Sequence, residues 1–256
     1  RDAAESRTLL RYADIALAEA RKKPTGNIRF FHPGMHVEPA VKLKLESELR
    51  RALEKNEFVL FYQPRLSLKT GEVTSLEALI RWRHPEKGLL SPDTFIPFAE
   101  EIGLIGKIGH IVRHNLTRQL MQWRDRPGMP LPVAFNVSTC ELCTGHLAAS
   151  LKDILRETGL PPGMLEVEIT ESRLIENMHA VRANLASIRK LGIAISIDDF
   201  GTGYSSLRYL SSLPIDLLKI DGTFIDGLIE SDAMQSIVKS TIGMAHSLNM
   251  AVIAEG

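Results

Sequence analysis

Two carboxylates stand side by side at Asp198 and Asp199, after the apolar run Ile193 to Ile197 and before Phe200-Gly201-Thr202-Gly203. The run predicts a buried strand with cover on both faces, and the acids are expected at its carboxyl end, where α/β folds place their ligands. Two adjacent acids beside a core do not both stay ionised unless a cation or hydrogen-bond donors compensate them. The stretch therefore points to a metal site, against the plainer reading of an acidic turn with glycines for bending.

The same question asked of the other predicted strands returns Glu77, Asn136, Glu168, Lys219 and Glu255 as their carboxyl-end residues. Six consecutive strand ends thus carry a group able to bind or position a cation. The set offers oxygen donors without cysteine or histidine, which suits hard divalent ions such as Mg²⁺ or Mn²⁺ rather than zinc or copper. Several acids and one amide can hold two ions about 3.5–4 Å apart, the arrangement that activates a water in phosphoester cleavage. Lys219 has two readings, a counter-charge among the acids or a group orienting the attacking water. The only cysteines, Cys140 and Cys143, lack two further zinc ligands at suitable spacing and read as ordinary thiols. His110 and His114 lie four apart without the Glu of a helical zinc motif.

The elements that must bring these residues together follow from periodicity. Strands are expected at Phe58–Leu66, Val73–Arg81, Val133–Val137, Leu165–Ile169, Ile193–Ile197, Leu217–Ile220 and Ala251–Ala254. Only Ser-Leu-Lys-Thr-Gly-Glu joins the first two, too short for a crossover helix, so they must run antiparallel. Thereafter strands alternate with helices near Thr94–Glu101, Ile105–Arg124, Gly145–Thr158, Asn177–Leu191, Ser205–Leu210 and Ala233–Leu248, which argues for parallel strands with helical crossovers. Residues 1–23 read as a helix and Ile28–Phe31 as a strand, expected to be the tail of a preceding domain over 1–36. A linker helix is expected over about 37–56, and the barrel over 57–256. Seven strands are expected where a closed barrel wants eight, so the last strand and helix are expected to lie past Gly256.

At 256 residues the chain is long enough to bury a sizeable core. Its 31 basic and 31 acidic residues leave no global field to gather a DNA or RNA polymer or to press it onto an anionic membrane. No run of about 18 apolar residues occurs, and no charged-then-apolar leader opens the sequence. The expectation for this piece is a cytoplasmic setting without membrane contact.

Taken together, Tyr62-Gln63-Pro64, Glu77-Ala78-Leu79-Ile80-Arg81-Trp82, Asn136-Val137-Ser138, Glu168-Ile169-Thr170-Glu171-Ser172, Asp198-Asp199-Phe200-Gly201-Thr202-Gly203-Tyr204-Ser205-Ser206-Leu207, Lys219-Ile220-Asp221 and Ala254-Glu255-Gly256 resemble the EAL domain, a family of bacterial cyclic-di-GMP phosphodiesterases. The resemblance covers roughly residues 45–256. It implies a modified TIM (β/α)8 barrel with the first strand antiparallel, and cleavage of cyclic di-GMP to linear pGpG with Mg²⁺ or Mn²⁺, Ca²⁺ being inhibitory. By that kinship the metal ligands are Glu77, Asn136, Glu168, Asp198 and Asp199, Lys219 positions the water, and Glu255 is a ligand or general base. Glu171 anchors the loop Phe200–Leu207, which in the family links homodimerisation to site geometry. Gln63 contacts the ligand or a bound water, and Pro92–Glu101 matches a segment lining the guanine pocket, while Arg81, two residues after Leu79, can by its own chemistry fork onto a phosphate or stack on a base, against the plainer reading of a rim salt bridge. Arg65 departs from the pattern, standing where the family usually has an apolar residue. Residues 10–31 resemble the end of a GGDEF domain, without the cyclase signature. The rival reading is a receptor that holds cyclic di-GMP uncut. Such members typically lose acids from the set, and this chain keeps them.

Overall fold

A computed structural model describes Ala13 and residues 39–126, 128, 129, 131–171, 178–201, 210 and 212–255. The helix expected over 1–23, the strand over 28–31 and the helix over 205–210 fall outside or almost outside those residues. The chain divides into two compact units, residues 1–51 and 52–256. In the first, the described structure is helix α1 (Pro39–Glu54), which continues along the chain into the second.

The second unit opens with strands β1 (Phe58–Leu66) and β2 (Val73–His84), antiparallel as the six-residue connection requires. Gly71 turns that connection in the left-handed region at φ 73°, where a side chain would be strained. Pro64 lies inside β1, which is tolerable at a sheet edge, and β1 does end the strand order. A short hairpin strand, β3 (Gly88–Leu90), pairs with the far end of β2 and was not expected, because three residues show no period. The chain then alternates: α2 (Ile96–Glu101), α3 (Ile105–Trp123), β4 (Val133–Asn136), α4 (Thr139–Cys143), α5 (Leu147–Thr158), β5 (Leu165–Thr170), α6 (Met178–Lys190), β6 (Ala194–Phe200), β7 (Leu217–Ile220), α7 (Gly222–Asp226), α8 (Asp232–Ser247) and β8 (Ala251–Ala254). Helix starts carry side-chain caps: Ser138 Oγ accepts from Cys140 N, Asp221 from Thr223 N and Ser231 Oγ from Met234 N. Cys140 and Cys143 lie on α4 as free thiols.

The sheet order is β1-β2-β4-β5-β6-β7-β8, parallel from β2 onward. Four strand-to-strand steps separate β2 from β7, about 19 Å in a flat sheet. Yet Lys219 on β7 and Glu77 on β2 meet at 3.1 Å. The sheet is therefore curled so that one face becomes an interior wall. The period of two sorts the residues: Val167, Ile169, Ile195, Ile197, Leu218 and Ile220 face outward and are buried, while Glu166, Glu168, Ser196, Asp198 and Lys219 face inward. Helices α3, α6 and α8 pack on β1, β6 and β8.

Beside the hairpin, Phe58, Trp82 and Phe95 form a fully buried aromatic cluster with ring centroids 5.5–5.9 Å apart, and the Trp82 indole N–H donates to Glu57 at 3.0 Å. This cluster seats the β1–β2 hairpin that carries Glu77. Trp82→Ala is expected to lower unfolding stability by about 3–5 kcal/mol, measured by urea denaturation.

Candidate active site

The inward alternation places the polar residues at successive levels of one wall. Glu77 lies opposite Gln63 across the β1–β2 ladder, Asn136 opposite Glu168, and Glu168 opposite Ser196. Glu77 is not at a strand end, as expected, but mid-strand, because β2 runs on to His84 under the hairpin pairing. Asp198 and Asp199 likewise lie within β6 rather than after it. The ladder to β7 shifts between Ile197 and Phe200, and Asp199 takes φ 55°, a left-handed conformation costly for a residue with a side chain. Asp198 Oδ1 accepts the Asp199 N–H at 2.9 Å and helps to hold that turn. The bulge keeps the strand going while re-aiming two adjacent carboxylates.

Lys219 is the hub, 1% exposed. Its ammonium stands 3.1 Å from Glu77, 3.4 Å from Glu168, 3.0 Å from Asp198 and 2.6 Å from Glu255. Asn136 Nδ2 lies 3.4 Å from both Glu77 and Glu168. Two carboxylate triads, each with oxygens within 4.8 Å of one another, share Asp198: Glu77, Glu168 and Asp198, then Asp198, Asp199 and Glu255. The predicted ligands therefore converge, and Glu255 joins the second triad. Glu171 accepts the Gly201 N–H at 2.9 Å, fastening the backbone where β6 ends. Gln63 is exposed beside Glu77 on the ladder. Arg81 donates to its neighbour's carbonyl, Ile80 O, at 2.8 Å and lies 5.8 Å from the Phe61 ring centroid.

Two residues went unassigned as site residues at the level of sequence. Arg65 reaches inward from β1, with Nη2 bonded to Glu77 at 3.0 Å and to Glu168, and Nη1 bonded to Glu166 at 3.0 Å. Strict alternation was the available signal, since Arg65 follows Gln63 by two and Glu166 precedes Glu168 by two.

Above the acids opens a cleft of about 370 Å³. Asn136, Asp198 and Asp199 line its floor, and Pro92, Ile96 and Pro97 one side, so the segment compared with a guanine pocket does border it. An array of oxygen donors under a half-apolar cleft is a setting for a polar, partly aromatic ligand held over cations.

The sequence model of the EAL domain matches residues 46–256. The chain belongs to the EAL domain family. Over 252 residues it is 40% identical to the cyclic di-GMP phosphodiesterase PdeR of Escherichia coli K12, which covers 98% of this chain and 38% of that protein. Over 255 residues it is 40% identical to the cyclic di-GMP phosphodiesterase NbdA of Pseudomonas aeruginosa, 100% of this chain and 33% of that protein. The chain thus spans about a third of the length of such curated relatives. Among solved structures, the PaMucR phosphodiesterase in complex with c-di-GMP superposes with a TM-score of 0.78 at 39% identity, over 83% of this chain and 86% of that one. The EAL enzyme Bd1971, in its cAMP- and cyclic-di-GMP-bound form, gives 0.81 at 31% identity, over 99% and 67%.

In this EAL domain the acids perturb one another strongly. Burial, with help from Glu77 and Asp198, pushes the Glu168 carboxyl up to about 8 despite Lys219 and Arg65. Burial also raises Glu77, but Lys219 and Arg65 outweigh it and hold that carboxyl below its ordinary range. Burial raises Asp199, reinforced by Asp198, and raises Glu255 against the pull of Lys219. Burial would lower Lys219, yet Glu168, Asp198 and Glu77 hold its proton more tightly than usual.

A carboxyl that keeps its proton to about 8 when folded, against an ordinary 4.5, contributes stability that is full below 4.5 and is lost as pH rises through 8. In EDTA, the melting temperature is therefore expected to fall between about pH 5 and pH 8, and Glu168→Gln is expected to flatten that slope. A metal-free melting temperature that rises across the window would refute this account of Glu168.

Proposed function

We propose that this EAL domain is a divalent-metal-dependent phosphodiesterase that hydrolyses cyclic di-GMP to linear pGpG. The observation that carries the proposal is the pair of carboxylate triads sharing Asp198 at the floor of the cleft. The relatives named cyclic di-GMP phosphodiesterases support the substrate, as does the c-di-GMP complex of a similar structure.

The donor set fits two hard cations on charge as well as chemistry. Among the described residues, Glu77, Glu166, Glu168, Asp198, Asp199 and Glu255 are the six carboxylates that form the two triads or pair with Arg65 or Lys219, the cations bonded among them. Fully ionised, that leaves four negative charges, the number that two divalent ions neutralise. Glu77, Asn136, Glu168, Asp198 and Asp199 would hold Mg²⁺ or Mn²⁺, with Asp198 common to both sites, and Asn136 would present its amide oxygen after a half-turn of its side chain. When bound, the ions would supply an activated water and stabilise the leaving oxygen.

The chain's own residues do the rest. Lys219 keeps four carboxylates converged and would orient the attacking water. Glu255, paired with Lys219 at 2.6 Å and with its carboxyl raised by burial, would take the water's proton. Glu171 holds the Gly201 peptide and so steadies the bulge carrying Asp199. Gln63 and Arg81 contact the ligand from the hairpin side. The same reading includes a GGDEF-like origin for residues 1–36, a cytoplasmic setting and a homodimer formed through the region 200–207.

The deciding experiment is an assay of cyclic di-GMP turnover in Mn²⁺ or Mg²⁺ against EDTA, with pGpG as the product scored. Metal-dependent pGpG formation is expected, whereas tight binding without product would leave a receptor. Glu77→Ala is expected to cut turnover below about a hundredth while circular dichroism stays native, since it removes a ligand and little core volume. Glu171→Ala is expected to lower kcat about tenfold and to weaken metal affinity, acting through Gly201 rather than on the substrate. Unchanged rate and affinity would remove Glu171 from the site.

A further inference from the structure

Arg65 is anomalous as a surface residue of an edge strand. Its side chain is only 9% exposed, and its guanidinium makes ion pairs to three carboxylates on two other strands. One nitrogen, Nη2, is shared between Glu77 on β2 and Glu168 on β5, two acids of the same triad that β4 separates in the sheet. The other, Nη1, is tied to Glu166, one inward level below Glu168 on the same strand. The guanidinium therefore approaches the triad from the amino-end side of the wall, opposite the cleft.

We propose that Arg65, braced by Glu166, is a positioning residue for the metal site: it clamps Glu77 and Glu168 from beneath at the separation a cation requires. One nitrogen of a planar guanidinium can bridge two carboxylates while its other nitrogen, tied to a third acid, fixes the angle of the plane, which a single ammonium cannot do. Lys219 holds the same two acids from the β7 side, at 3.1 and 3.4 Å, so each carboxylate is gripped between two cations. Such outer partners orient ligands, and their loss typically weakens metal binding by about 10–100-fold.

The inference rests on the phosphodiesterase reading, and its test keeps the two apart. Mn²⁺ binding to the full 256-residue chain is measured by isothermal titration calorimetry without substrate, alongside thermal melting in EDTA and steady-state kinetics. Arg65→Met is expected to weaken Mn²⁺ binding by about 10–100-fold and to lower kcat, with KM changed less than about twofold. Arg65→Lys, which keeps the charge without the fork, is expected to recover only part of the affinity. Glu166→Gln, which leaves the Arg65 bonds to Glu77 and Glu168 but loosens their brace, is expected to weaken Mn²⁺ binding about tenfold while melting within a few degrees of the parent. It decides the matter if Arg65→Met does not fold. If the parent binds Mn²⁺ and Glu166→Gln or folded Arg65→Met binds it equally well, the clamp is wrong and the phosphodiesterase reading stands. A parent chain that binds no Mn²⁺ overturns both.

Discussion

The structure depends on the burial of one ammonium among several carboxylates. Lys219 is almost wholly removed from water, which alone would weaken its hold on its proton, yet Glu77, Glu168, Asp198 and Glu255 surround it within 3.4 Å. The requirement is mutual. Those acids cannot face the interior of a curled sheet unless positive charge meets them, and the residual negative charge is what makes the place attractive to divalent ions. The apolar half of each strand faces the helices and supplies ordinary core energy. The polar half is held together electrostatically, and its geometry is the function.

Backbone detail converts that constraint into aim. Regular pleating would send Asp198 and Asp199 to opposite faces of β6. The register shift between Ile197 and Phe200, with Asp199 in a left-handed conformation, lets both line the same cleft. Strain of this kind persists only where the surroundings over-determine it. Here the Asp198 carboxylate bonds the Asp199 N–H and Glu171 bonds the Gly201 N–H, one on each side of the strained segment.

Much of this was legible in the sequence. The strands begin and end within a few residues of where alternation puts them, since parallel strands of a curled sheet must be apolar on the helix side, and the six-residue link left no choice but an antiparallel first pair. The acids were legible because nothing in core packing asks for them. What escaped had physical reasons. β3 is too short to show a period, and β2 runs on past Arg81 to His84 where β3 pairs with it. The end of β6 was misplaced because a bulge lets charged residues remain inside a strand. Arg65 and Glu166 were passed over because a charge on an edge strand or beside another acid ordinarily faces solvent, and only the curl of the sheet turns both inward.

The hairpin has a consequence for how the molecule assembles. Arg65 and Glu77 are 12 residues apart in sequence, whereas Lys219 is 142 residues from Glu77. Loop-closure entropy favours near contacts, so the local pair can form while the distant strands are still unstructured. Glu77 then enters the growing interior with a counter-ion already attached, and the nascent wall need not await the last third of the chain to bury its first charge.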